Sequence, residues 1–398
     1  MLNKKRIAMI MGICLLTGSL SACGSDISVT TAPIRTQDLA EPIVENAYSA
    51  QNNDENNMTD VSNSAIGDVS VVESDSIGES EADSGEISIT ISAVGDVTLG
   101  NHSAQDYSWS FRQTYDQVQN DAYFFENVYD IFSEDDMTIV NLEGPLTDSE
   151  DMQESTYIIK GDPEYVNILT SGSVEAAGMA NNHRLDYNVQ GSNDTVEALQ
   201  GAGIVYAYDD NVGIYQTQGI RIGFVAVNEI AWGQGVEKFL KEGIERLKEE
   251  QVDLILACCH WGTELETYPE LYQQILGRKC IEWGADLVIG HHPHVLQGIE
   301  EYQGKYIVYS LGNFCFGANR NPADKDTMIF QQTFTFVNGE RLEETAVKII
   351  PCSVSSVSSR NDYKPTPATG EEAVRIINKI NEYSRDFGVQ FDADGNKL

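Results

Sequence analysis

From Ile87 onward the chain alternates short apolar runs with amphipathic stretches, and five of the runs end on residues that can bind a cation or move a proton. Strand–helix alternation of this kind admits few architectures. It gives an α/β domain, and open α/β sheets gather their sites outside the carboxyl ends of strands. Residues 87–94 have period two and predict a strand stopped at Gly95-Asp96. The strand over 137–142 leads through Asn141 to Glu143, and that over 174–179 leads to Asn182-His183. The strand over 252–258 feeds His260, and the run 286–289 feeds Gly290-His291-His292-Pro293-His294. Helices are expected over 117–132, 194–200, 236–250, 269–283 and 371–387, and further strands over 204–207, 220–227 and 306–311. The strands over 328–337 and 344–350 read as an antiparallel, hairpin-linked pair, and no internal domain boundary is evident.

Three of the six histidines fall within 291–294. Pro293 pushes His292 toward an extended conformation, which would point the His292 and His294 rings the same way. Two imidazoles so placed suit a divalent metal. Singly, each strand-end residue has an ordinary reading. Asp96 after a glycine is commonly a turn or cap, and His260 beside Trp261 a half-buried hydrogen-bonded histidine. Five strand ends delivering carboxylate, amide or imidazole together suit one or two hard-to-borderline cations.

The N-terminus reads as a processing segment. Lys4-Lys5-Arg6, an apolar stretch over 7–16 and Leu20-Ser21-Ala22-Cys23 resemble a lipoprotein signal with cleavage before a lipidated Cys23. The apolar stretch is too short for an ordinary membrane span. Residues 24–86 hold fourteen acidic residues and one basic residue, Arg35, and no Phe or Trp. Such a stretch buries too little apolar surface to order itself. It is expected to be a disordered tether with a reach on the order of 40–50 Å. The expected organisation is signal peptide over 1–22, lipidated Cys23 and tether over 23–86, and a single domain over 87–398. The five later cysteines have no disulfide or zinc-finger spacing, and Cys258 and Cys259 read as core thiols. A formal net charge of −37 excludes a general nucleic-acid binder and leaves an anionic substrate in need of a metal or a local basic patch.

Six ordered motifs then carry a resemblance. Gly95-Asp96-Val97-Thr98-Leu99-Gly100, residues 141–147 beginning Asn141-Leu142-Glu143, and Ala180-Asn181-Asn182-His183-Arg184-Leu185-Asp186 are the first three. His260-Trp261-Gly262-Thr263-Glu264, Gly290 through Gln297, and Tyr309-Ser310-Leu311-Gly312-Asn313-Phe314 complete them. Together they resemble the CapA family of capsule biosynthesis, associated with poly-γ-glutamate and related to calcineurin-like metallophosphoesterases. The resemblance implies a metallophosphoesterase-like multi-layer sandwich, two mixed β-sheets flanked by helices. It implies one or two divalent ions (Mn, Fe or Zn). Asp96 and His294 would hold one of them, Asn182, His260 and His292 the other, with Glu143 bridging and His183 assisting the leaving group. Trp261, Tyr309 and Phe314 are expected to pack around the site, Thr147 and Gln297 to orient ligands, and Glu264 to support His260 or touch substrate. His291 matches no ligand position and is expected to face solvent or substrate.

Three departures bear on activity. Related phosphoesterases carry Asp-x-His where Asp96-Val97-Thr98 supplies no imidazole, and His102 lies four residues on as a surface residue. Glu143 is one methylene longer than the usual bridging Asp. Asn188 stands where the family has glycine, a conservative exchange because Asn tolerates left-handed backbone. The expected function is that of a lipid-anchored protein on the extracellular face of a Gram-positive membrane. It would act in synthesis, export or trimming of an anionic capsular polymer through a metal-binding hydrolase-like site. Membrane synthase or export subunits are expected partners. The alternatives are a metal-dependent phosphoesterase on a cell-envelope phosphodiester and a non-catalytic accessory subunit of a polymer synthase complex.

Overall fold

The computed structural model describes residues 69–73 and 85–398. In chain order its strands are β1 (Val69–Glu73), β2 (Glu86–Thr98), β3 (Asn101–His102), β4 (Met137–Leu142), β5 (Ile159–Lys160) and β6 (Ala176–Gly178). β7 (Val205–Ala207), β8 (Val212–Thr217), β9 (Ile220–Asn228), β10 (Leu254–His260), β11 (Leu287–His291) and β12 (Ile299–Tyr302) follow. The last are β13 (Lys305–Val308), β14 (Asn313–Phe316), β15 (Asp326–Val337), β16 (Glu340–Arg341), β17 (Ala346–Ser353) and β18 (Thr366–Pro367).

Two large mixed sheets result. One runs β1-β8-β9-β10-β11-β13-β12; the other runs β18-β17-β15-β2-β4-β6-β7, with β14 also on β2 and β16 on β15. Ile89, Ile91, Met137 and Ile139 of one sheet meet Ile222, Phe224, Leu254, Leu256 and Leu287 of the other in a shared core. The helices Val236–Glu249 and Leu271–Trp283 cover the outer face of the seven-stranded sheet through Leu240, Ile244, Leu247 and Leu276. Truncating Leu240 or Ile244 to alanine there would cost about 2–5 kcal/mol. Phe111, Phe124, Phe125 and Phe132 cover the outer face of the other sheet. This is the helix-flanked two-sheet sandwich expected from the motifs, and the β15–β17 pair is antiparallel as expected.

β2 positions the site. Ile89, Ile91 and Ala93 face the core between the sheets, whereas Val94 and Val97 both lie in the outer cluster. The side-chain alternation therefore changes phase between them, where the β2–β4 register shifts between Ala93 and Asp96. Such a bulge re-aims one side chain. Here it sends Asp96 to the inter-sheet side instead of outward with Val94. The predicted stop at Gly95-Asp96 is thus corrected, because the strand runs on to Thr98. Gly95 is required there, since a Cβ would lie 2.1 Å from the Gly312 carbonyl oxygen.

Other differences have local causes. The helix expected over 117–132 is broken into Phe111–Val118, a 3-10 turn Asp121–Phe124 and Tyr129–Ser133. Gln119 ends the first piece in left-handed backbone, and the Asn120 side chain caps the next. β8 and β12 were not foreseen; both are short partners in antiparallel pairs with β9 and β13. Within the stretch read as tether, Val69–Glu73 is a strand parallel to β8. The Ser70 hydroxyl donates to the Tyr206 carbonyl (2.6 Å), tying this edge to β7 of the other sheet. The signal segment, Cys23 and the tether outside residues 69–73 and 85–86 lie outside the described residues. Asn188 has φ +54°, the left-handed conformation its substitution for glycine anticipates.

Candidate metal centre

Asp96, completely buried, is the hub. Its Oδ1 accepts from Asn141 Nδ2 (2.9 Å), and its Oδ2 lies 3.0 Å from His294 Nδ1 and 3.4 Å from the His292 backbone N–H, which donates to it. Glu143 follows β4 and is buried with both carboxylate oxygens unpartnered. One of them is 3.8 Å from His183 Nε2 and 3.9 Å from His294 Nε2. The loop after β6 brings Asn182 to His260, with Asn182 Oδ1 2.9 Å from His260 Nε2. The His260 and His292 rings are 4.8 Å apart and those of His292 and His294 5.7 Å. All seven residues assigned from the motifs therefore converge.

His292 and His294 are not extended, as Pro293 alone would suggest. Their φ values are +95° and +57°, conformations that cost a non-glycine residue about 1–3 kcal/mol and persist only where the surroundings impose them. The surroundings do so here. The His291 carbonyl accepts from Trp261 N–H (3.1 Å), the Pro293 carbonyl from Leu265 N–H (2.8 Å), and the His294 carbonyl from Asn313 Nδ2 (3.2 Å).

The electrostatics are those of a cation site. Burial alone would raise the Asp96 carboxyl, but the hydrogen bond and charge of His294, aided by His291 and His260, hold it below its ordinary range. Burial pushes Glu143 up to about 7 against the pull of His294. Burial would lower His294, yet the charge of Glu143 and the hydrogen bond to Asp96 raise it to about 9. Burial lowers His260 well below its ordinary value and, with the charge of His294, takes His292 to about 4. The His294 ring, set between two carboxylates and beside the His292 ring, occupies the place a cation suits. The donor set fits a divalent ion, because Glu143 has two buried oxygens and His292 a buried Nδ1 with no hydrogen-bond partner. Asp96, Glu143 and His294 offer ligand atoms within 4.8 Å of one another, as do Glu264, His292 and His294.

The remaining expectations divide. Trp261, Tyr309 and Phe314 are buried packing residues, and Cys258 and Cys259 are buried free thiols, as expected. His291 is corrected: it is buried and its Nε2 meets the Val94 carbonyl at 3.0 Å, so it braces β11 on β2. Thr147 and Gln297 touch no ligand residue in the bonds they make. Thr147 donates to Asp194, and Gln297 donates to the Glu266 carbonyl and accepts from Gln273. Glu264 groups with His292 and His294, not His260. Thr98 is buried with an unpartnered hydroxyl. His102 cannot replace the missing imidazole, because Nδ1 accepts from Ala104 N–H (2.9 Å) and Nε2 meets the Thr156 carbonyl (3.0 Å).

Three positioning residues were missed. Asp186 Oδ2 holds His183 Nδ1 at 2.8 Å, and burial of His183 is overcome by this bond and by Glu143, so its pKa is raised. Asn313 Oδ1 holds His294 Nδ1 at 2.9 Å, and Asn181 donates to Asn141 (3.3 Å) and to the Leu142 carbonyl (2.8 Å). The spacing of His183 and Asp186 by three residues was the available signal for the first; the other two were marked only by lying within the third and sixth motifs.

The centre opens into a cavity of about 600 Å³ lined by Glu143, Asp186, Glu264 and Asp324 among its acids and by His102, His183 and His294. Among the described residues no lysine or arginine lines it. Known proteins agree with the motifs. The family model described as bacterial capsule synthesis protein PGA_cap matches residues 90–318.

The chain belongs to that family.

The PGA_cap region includes every residue of the centre. The chain is 28% identical over 249 residues to the PGA biosynthesis protein CapA of Bacillus subtilis, covering 57% of this chain and 63% of the relative. It is 28% identical over 255 residues to the capsule biosynthesis protein CapA of Bacillus anthracis, covering 57% and 60%. The chain thus spans about three fifths of the length of these relatives. A hypothetical protein from Thermus thermophilus matches in structure with a TM-score of 0.41 at 14% identity, covering 66% of this chain and 99% of the other. Among the described residues no helix is long and apolar enough to cross a membrane.

Proposed function

We propose that this protein acts in the synthesis, export or trimming of an anionic capsular polymer such as poly-γ-glutamate, through a divalent-cation centre held by Asp96, Glu143, Asn182, His260, His292 and His294. The observation that carries this reading is Glu143, whose two buried oxygens make no hydrogen bond and one of which lies beside His183 and His294. Family membership and the capsule names of the Bacillus relatives support the polymer. The cavity wall supports a metal-dependent mode of binding. With four carboxylates and no lysine or arginine among the described residues, it would repel a polyanion by itself.

A divalent cation bound there supplies positive charge and Lewis acidity. The chain's own residues do the rest. His183, oriented by Asp186 and adjacent to Glu143, stands where a proton could be given to a leaving group. Asn141 and Asn313 fix Asp96 and His294. Lipidation at Cys23 and a tether would place the domain at the outer membrane surface, beside synthase or export subunits.

Cells carrying His292→Ala with His294→Ala in place of the wild-type chain test this reading. The recovered capsular polymer is expected to change in amount or chain length. Unchanged polymer with normal protein levels would favour the non-catalytic accessory role. Turnover of a generic phosphodiester, lost on Glu143→Ala, would favour a phosphoesterase; the buried Thr98 in place of the imidazole of related phosphoesterases weighs against it.

A further inference from the structure

We infer that Glu264 is a cation ligand of this centre, on its solvent side, beyond the six motif-derived ligands; the inference rests on the metal reading above. A carboxylate oxygen of Glu264 and ring nitrogens of His292 and His294 lie within 4.8 Å of one another. His292 Nδ1 is buried and unpartnered in that group. His294 belongs also to the trio with Asp96 and Glu143. A neutral imidazole offers one lone pair, so His294 serves one cation at a time. Its Nδ1 donates to the Asp96 and Asn313 oxygens, which leaves the lone pair on Nε2, 3.9 Å from Glu143, and places His294 with the inner trio. A second cation beside His292, with His260 and Asn182 near it, then takes its carboxylate from Glu264.

The loop carrying Glu264 is built to hold it there. Trp261 is buried, and its indole N–H donates to the Tyr309 carbonyl (2.9 Å). Gly262 turns the chain at φ +77°, where a Cβ would lie 2.7 Å from Gln273. Leu265 N–H donates to the Pro293 carbonyl (2.8 Å), so Glu264 and the His292–His294 turn are tied directly together. Gln297 Nε2 holds the far side of the loop through the Glu266 carbonyl (2.8 Å). Glu264 itself is exposed at the cavity mouth, so an incoming anionic group can displace it from the cation. An added carboxylate also shifts the donor set toward oxygen, favouring Mn²⁺ over softer ions.

The test is titration of Mn²⁺ into metal-stripped full-length protein, followed by calorimetry and by the Mn²⁺ paramagnetic resonance signal, for wild type, Glu264→Gln and His292→Ala. Two classes of site are expected in wild type. Glu264→Gln should weaken the second by at least the ~10-fold that loss of an outer partner costs, leaving the first unchanged. His292→Ala should remove the second. Because Glu264 is exposed, the metal-free melting temperature of Glu264→Gln should equal that of wild type. Wild-type binding with an unaltered Glu264→Gln isotherm overturns the assignment of Glu264 alone. No binding by wild type overturns the metal reading and this inference together.

Discussion

Asp96 Oδ2 and His294 Nδ1 lie 3.0 Å apart, joining the first and fifth motifs of the chain in one pair of which Asp96 is fully buried. The pair exists because a bulge in β2 turns Asp96 inward and a left-handed turn brings His294 back over the sheet end.

The bulge makes Gly95 a stringent position. Gly95→Ala would place a methyl group 2.1 Å from the Gly312 carbonyl oxygen and force β2 from β14. A loss of about 2–4 kcal/mol is expected from urea denaturation, in the range of overpacking and strain at a special position. Retention of wild-type stability would show that β14 yields freely.

His291 and His292 should separate stability from metal binding. His291→Ala leaves the buried Val94 carbonyl without its partner and should cost about 1–3 kcal/mol, with metal content unchanged. His292→Ala should lower metal content with little loss of metal-free stability. The opposite pattern would reassign the ligand to His291.

How much of this was legible in the sequence depended on range. The strands over 137–142 and 220–227 and the helix over 236–250 followed from periodicity within a few residues, and the seven motif residues did converge. The bulge at Asp96 was not legible, because it goes with the close approach of Gly312, which is distant in sequence. His291 was misplaced for a related reason: its partner is a backbone carbonyl on another sheet. The backbone at His292 went against the local Pro rule because the Trp261, Leu265 and Asn313 contacts override it.

His183 offers a direct spectroscopic check. Asp186→Asn removes the charge and weakens the hydrogen bond that offset burial, so the His183 titration followed by NMR should move downward from its raised value. A titration that stays raised would show that Glu143 alone sustains it.

Far from the centre, two acids should set the pH dependence of stability. Burial pushes Asp135 up to about 8 and Glu175 up to about 7. Their unfolded counterparts release protons near pH 4, so the folded state binds more protons between about pH 4 and 8. Stability therefore falls as pH rises through that window. Asp135→Asn keeps an oxygen that can accept the Thr138 hydroxyl and should flatten the decline in melting temperature from pH 5 to 8. An unaltered slope would remove Asp135 from the explanation.

The central claim is that the convergent residues hold a divalent cation, and metal analysis of the purified full-length chain tests it most directly. At least one equivalent of Mn, Fe or Zn per chain is predicted for wild type, and its loss is predicted in the His292→Ala, His294→Ala double variant. Wild-type protein without stoichiometric metal after incubation with each of these ions, or metal retained undiminished by the folded double variant, would contradict the account.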